Sequence, residues 1–260
     1  MHGSYRDDIG KQLFTATAQL SRLAGWAAFD TGHHALAQRH YIQALRQARA
    51  GADIPLGGYI LTCMALQTTL RGFHDDAIDM VDAAFYRARH RATPRVLAFY
   101  KLIEARVWAR DGNRGATGTA LAISERLLDS AANHSGDDPA WIDFFDHARL
   151  AADAIEIHRD LGMPAYAWRW NREATMATDT FARSHALRLA VLGTTHLQGC
   201  SPDLDRAVQY GHQTVSVLAR VTSARALDYL NDLLTRLHRW NTEPAVRELT
   251  HRARTELLIV

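Results

Sequence analysis

Apolar residues return every three or four positions along most of the chain, as in Leu13, Ala16, Leu20, Leu23, Ala24 and Ala27 near the start and Leu227, Leu230, Leu234 and Leu237 near the end. That spacing matches the turn of an α-helix, and no alternating run of useful length argues for a strand. Proline sharpens the boundaries, because its ring is tolerated in the first helical turn and not further in. Pro55, Pro94, Pro139, Pro164, Pro202 and Pro244 each precede or open an amphipathic stretch and so mark helix starts. Joined to the glycine stops, they predict about twelve helices, near residues 5–30, 34–50, 55–71, 74–91, 94–111, 116–132, 138–161, 164–177, 180–198, 203–219, 222–240 and 243–257. Short connections make successive helices antiparallel neighbours. Longer loops are expected at 111–115 and at 132–137, where His134 lies.

A repeat underlies these helices. Gly32, Gly72 and Gly112 are spaced 40 residues apart, each closing one helix before the next begins. Ala37 and Ala77 follow the first two glycines by five residues, and Ala44 and Ala84 by twelve. Small side chains at those offsets suit helices that must approach closely. Gly162, Ala167 and Ala174 repeat the pattern, while the third unit carries Thr117 and Ser124. With Gly25 seven residues before the first turn glycine and Tyr41 nine after it, the first unit matches the tetratricopeptide pattern at five fixed offsets. The expected fold is therefore all-α: a tetratricopeptide-like, right-handed helical repeat of stacked antiparallel pairs, forming a single domain over residues 1–260.

The stretch from Leu20 to Leu45, which contains Gly25, Trp26, Gly32, Ala37, Tyr41 and Ala44, resembles the tetratricopeptide-like C-terminal part of bacterial helix-turn-helix transcriptional regulators. Trp141-Ile142-Asp143-Phe144-Phe145-Asp146 and Ser223-Ala224-Arg225-Ala226-Leu227 look like the same family. The resemblance implies a role in transcriptional regulation through ligand or protein binding. Such regulators carry a DNA-binding head before this region, for which the dozen residues ahead of the first periodic helix are too few. Direct sequence-specific DNA binding by this chain is therefore not expected.

Charge adds little to this picture. The net charge is +2, too small to argue for nucleic acid, although Lys11 and Lys101 are the only lysines among 30 basic residues. Arginine in such excess follows from coding bias, or from a surface that grips carboxylates and phosphates bidentately. Cys63 lies in an apolar run and Cys200 is distant, so free thiols are expected. No signal peptide or membrane-spanning run is present, which points to the cytoplasm.

If the first helix of each pair lines a concave face, the glycine register places there Gln19, Arg22, Trp26 and Asp30, then Tyr59, Thr62 and Leu66, then Phe99, Arg106 and Arg110, and finally Arg149, Glu156 and Asp160. Arg22, Trp26, Tyr59, Arg106 and Arg149 are the candidate binding residues, suited to a peptide, a protein segment or an anionic small ligand. The same positions read equally well as aromatic core between repeats beside solvated arginines. An enzyme of specialised metabolism is the alternative, with Asp143, His147, Glu156 or His158 as acid or base. A third reading is a module for homo-oligomer assembly. Asp143 and His147 share a helical face with Asp146 adjacent, but spacing supplies no third ligand, so no metal is expected. No phosphate loop or dinucleotide fingerprint occurs, and no cofactor is expected. The pairs Asp7-Asp8, Asp75-Asp76 and Asp137-Asp138 fall at predicted helix starts, where they suit the positive end of the helix dipole.

Overall fold

In a computed structural model that describes residues 6–131, 138–174 and 182–258, the chain folds into α-helices, with no strand among the described residues. The expected loop at 132–137, with His134 and Asp137, lies outside them. Among the described residues there are twelve α-helices: α1 (Asp7–Asp30), α2 (His34–Ala50), α3 (Ile54–Leu70), α4 (His74–Ala88), α5 (Pro94–Asp111), α6 (Arg114–Ala131), α7 (His147–Asp160), α8 (Pro164–Asn171), α9 (Ala182–His196), α10 (Leu204–Leu218), α11 (Ala224–Leu237) and α12 (Pro244–Leu257). Pro55, Pro94, Pro164 and Pro244 sit in first turns, as their missing N–H allows. The side chains of Asp53, Thr93, Asp203 and Ser223 accept backbone N–H groups at the starts of α3, α5, α10 and α11. Asp7 and Asp8 lie in the first turn of α1, and Asp75 and Asp76 in that of α4.

The chain divides into two compact units, Met1–Asp146 and His147–Val260. In the first, α1 packs on α2, α3 on α4 and α5 on α6, and α3 lies between α1 and α5. Gly32, Gly72 and Gly112 turn between the helices of these pairs with φ of 83°, 87° and 83°, a region that costs a residue with a Cβ. Burial then recurs at fixed distances from those glycines. Ala37, Tyr41, Ala44 and Ala48 are buried on α2, Ala77, Val81, Ala84 and Ala88 on α4, and Thr117, Leu121, Ser124 and Leu128 on α6. The central helices behave differently. α3 buries 12 of its 17 residues and is apolar almost all round, because neighbours cover it on several sides.

Ala37 is fully buried on α2, which packs on α1, so Ala37→Leu overpacks its surroundings. The expected cost is about 1–3 kcal/mol, read from the unfolding midpoint, and a neutral result would place the residue at a looser contact than its burial indicates.

Two expectations change. The helix expected at 138–161 is broken: Pro139 opens only a short 3₁₀ turn over Ala140–Ile142, and helix resumes at His147. Neighbouring side chains on a helix diverge by about 100°. The irregular backbone at 143–146 instead brings adjacent Phe144 and Phe145 onto one ring, that of Phe99. On α1 the apolar stripe is not the packed face. Leu20 and Leu23 are 65% and 51% exposed, whereas Ala18, Arg22, Gly25, Ala28 and Phe29 are buried.

In the second unit α7 packs on α8, α9 on α10 and α11 on α9, with α12 against α10. One core cluster joins Val215, Leu230, Leu233 and Leu249, and another joins Ile155, Val191 and Leu192.

Candidate functional site

The first helices of the first unit's three hairpins meet through an arginine of α1 and aromatic residues of α3 and α5. The Arg22 guanidinium lies over the Tyr59 ring, 4.8 Å from its centroid. Tyr59 meets the ring of Phe99 edge to face at 5.4 Å. A third aromatic layer comes from the segment between α6 and α7. Trp141 stacks flat on Tyr59, with centroids 4.8 Å apart and planes at 9°. Phe144 and Phe145 approach Phe99 edge-on at 5.5 and 5.3 Å. At the start of α5, Arg95 Nε pairs with the Asp138 carboxylate at 2.8 Å, and its Nη1 donates to the Phe145 carbonyl at 3.3 Å. The Thr93 hydroxyl donates to the same carboxylate. Residues 138–146 thus lie across α3 and α5 as an aromatic segment clamped at one end by an ion pair.

A cleft of about 1070 Å³ is lined by Gln19, Leu20 and Leu23 of α1, Ile54 and Pro55 of α3, and Arg91. Its walls are apolar and amide, with Lys11 and Arg91 supplying positive charge and Asp53 a carboxylate.

The five candidate binding residues fall in both units. Arg22, Tyr59 and Arg106 are buried, and Trp26 is half-buried, edge to face with Phe29 at 5.6 Å. Arg106 lies two helical turns beyond Phe99 on the same side of α5. Arg149 stands on α7 in the second unit, where its Nε donates to Asp153 at 2.7 Å. The core reading therefore describes the present state of Tyr59 and Phe99, and the layer over them is the chain's own Trp141 and Phe144. Burial pushes the Cys63 thiol up to about 11, with Arg22 opposing, and burial also raises the Tyr100 hydroxyl well above its usual range. Both stay neutral near pH 7.

In the second unit a polar network spans α7 and α11. Tyr229 donates its hydroxyl to Glu156, and the buried Arg159 reaches Asp160 at 2.9 Å and Asp232 at 3.1 Å. Arg236 holds both oxygens of Asp232. Of the acid–base alternatives, Glu156 belongs to this network and His158 does not. His158 leaves the opposite side of α7, with Nδ1 at 2.7 Å from the Ala154 carbonyl and its ring stacked on Tyr166. His147 is exposed at the first residue of α7, and Asp143 is exposed in the irregular stretch of the first unit. No group of three metal-ligating side chains converges among the described residues. No described helix is long and apolar enough to cross a membrane.

Burial lowers the pKa of His158, and likewise that of His185 and His196. The folded state therefore binds fewer protons than the unfolded chain around pH 6.5, the ordinary histidine value. Stability is present above that value and is lost as pH falls through it toward the depressed folded values. His158→Phe, which keeps a ring on Tyr166, is expected to flatten this dependence in thermal unfolding. An unchanged slope would assign the pH effect to other groups.

Sequence reasoning missed Arg95 as an anchor, Trp141 and Phe144 as a covering layer, and the Arg159–Tyr229–Asp232 cluster. The pair Phe144-Phe145 bracketed by Asp143 and Asp146 was the available signal, since no single helical face accommodates that alternation. A comparison with known protein families finds no match for this chain, and a comparison with curated proteins finds none either.

Proposed function

We propose that this chain is a regulatory binding domain of tetratricopeptide type, whose inner face in the first unit recognises a short protein segment. One observation carries the reading: the surface formed by Tyr59, Phe99 and Arg95 already holds a short turn-rich aromatic segment with a carboxylate at one end. This is the chemistry by which helical arrays take peptides, with ring stacking for area and arginine for the acidic group. The fixed burial offsets after Gly32, Gly72 and Gly112, and the packing of Gly25 against Tyr41, support a right-handed repeat and the kinship with helix-turn-helix regulators. A binding role also fits the neutral, buried Cys63 and Tyr100.

The reading is tested by panning a random-peptide library on the full chain and locating bound peptides by photo-crosslinking. Crosslinks to Trp26, Leu23 or other inner-face residues of α1, α3 and α5 are expected. Crosslinks confined to the outer surfaces of α2, α4 and α6 would overturn it.

A further inference from the structure

The proposed binding face is filled by the chain itself, and the way it is filled specifies what else fits. Resting on that proposed function, we infer that residues 138–146 are a built-in copy of the ligand: the α3–α5 face selects a segment with a carboxylate, a stacking aromatic three residues later and an aromatic pair three residues after that, and an external protein segment of this pattern displaces residues 138–146.

The pattern is read from the anchors. Asp138 meets Arg95, Trp141 covers Tyr59, and Phe144 and Phe145 share Phe99. The seat sets the spacing, because Arg95 and Phe99 lie one helical turn apart on α5 and so fix where charge and ring must fall. Ile142 and Phe145 are fully buried, Trp141 is half-buried, and Phe144 is 39% exposed, so the segment is gripped along one side. Its backbone–backbone hydrogen bonds among the described residues are local: Ile142 to Pro139, Asp143 to Ala140 and Phe145 to Ile142. Side chains and the Arg95 clamp hold it, without a backbone ladder to the helices beneath. A segment held in this way exchanges for another with the same side chains.

Tethering makes the inner copy a strong competitor, with an effective concentration in the millimolar range or above. A labelled nonapeptide, Asp-Pro-Ala-Trp-Ile-Asp-Phe-Phe-Asp, titrated against the full chain by fluorescence anisotropy should therefore bind the parent weakly. A Trp141→Ser/Phe144→Ser variant, which weakens the inner copy at its two partly exposed anchors, should bind the peptide at least about tenfold more tightly. Adding Arg95→Glu to that variant should abolish the gain. Equal affinity of parent and variant, or binding that survives Arg95→Glu, would overturn the inference. Hydrogen exchange on the unmodified chain gives an answer that does not depend on a variant folding. At saturating peptide the amides of 138–146 should exchange faster, and unchanged protection there counts against displacement. The two readings also fail differently. Panned peptides that crosslink to the inner face while leaving the exchange of 138–146 unchanged would sink self-occupancy and leave the binding function standing. Crosslinks confined to the outer helices would remove both.

Discussion

Replacing Arg159 by alanine is expected to destabilise the second unit by about 3–5 kcal/mol, the range for removing one partner of a buried charged network. Arg159 is only 4% exposed and lies among three carboxylates, those of Glu156, Asp160 and Asp232. Its guanidinium also sits over the Tyr229 ring, 5.5 Å from the centroid. The side chains of Glu156 and Asp160 are 12% and 10% exposed, so they have little water to turn to once the cation is gone. The cost is thus dominated by negative charge left in a buried site without its cation, not by the contacts deleted. A double variant, Glu156→Gln with Arg159→Met, should recover part of the loss, because it removes one buried negative charge, keeps an acceptor for the Tyr229 hydroxyl and fills the volume. Urea unfolding, together with hydrogen exchange in α7 and α11, measures both variants. If Arg159→Ala unfolds like the parent, the network is solvated in a way that its burial does not indicate.

The helices were legible because their signals are local. A proline at a first turn and a glycine with positive φ at the end of a helix act within one turn of chain, so boundaries at Gly32, Pro94 and Gly112 could be read directly. The buried alanines were legible for the same reason, since Ala37 and Ala44 are tied to Gly32 by a fixed register. What periodicity leaves open is which side of a helix packs. The stripe through Leu20 and Leu23 identified α1 as a helix, yet the helix packs through Ala18, Gly25 and Ala28, whose small side chains allow close approach. The candidate site was legible by residue type and not by state. Tyr59 was read as a binding residue, and its ring lies stacked under Trp141, which comes from 82 positions further along the chain. No local rule connects those two residues. The break at 143–146 was missed for a related reason: the preference of Phe144 and Phe145 for one ring on α5 is a tertiary term that overrides helical propensity.

The contact between Gly25 and Tyr41 is expected to be strongly coupled. Tyr41 is fully buried between the first two helices, and Tyr41→Ala should cost about 3–5 kcal/mol through the cavity it leaves. A methyl group on Gly25 would fall 2.7 Å from two carbons of the Tyr41 ring, well inside van der Waals contact. Alanine is the better helix former by up to about 1 kcal/mol, but a fully buried ring has nowhere to swing, so overpacking at about 1–3 kcal/mol wins and Gly25→Ala destabilises. Gly118 supplies the contrast. It is exposed on α6 with nothing within 4 Å of its would-be Cβ, so Gly118→Ala should stabilise by about 0.5–1 kcal/mol through propensity alone. In the double variant Gly25→Ala/Tyr41→Ala, the new methyl enters space that the ring has vacated. The combined cost should then fall short of the sum of the single costs by about 1 kcal/mol or more, a coupling that chemical denaturation of the four proteins resolves. Additive costs would show that the α1–α2 hairpin relieves the clash by moving apart and that Gly25 is not needed for its close approach.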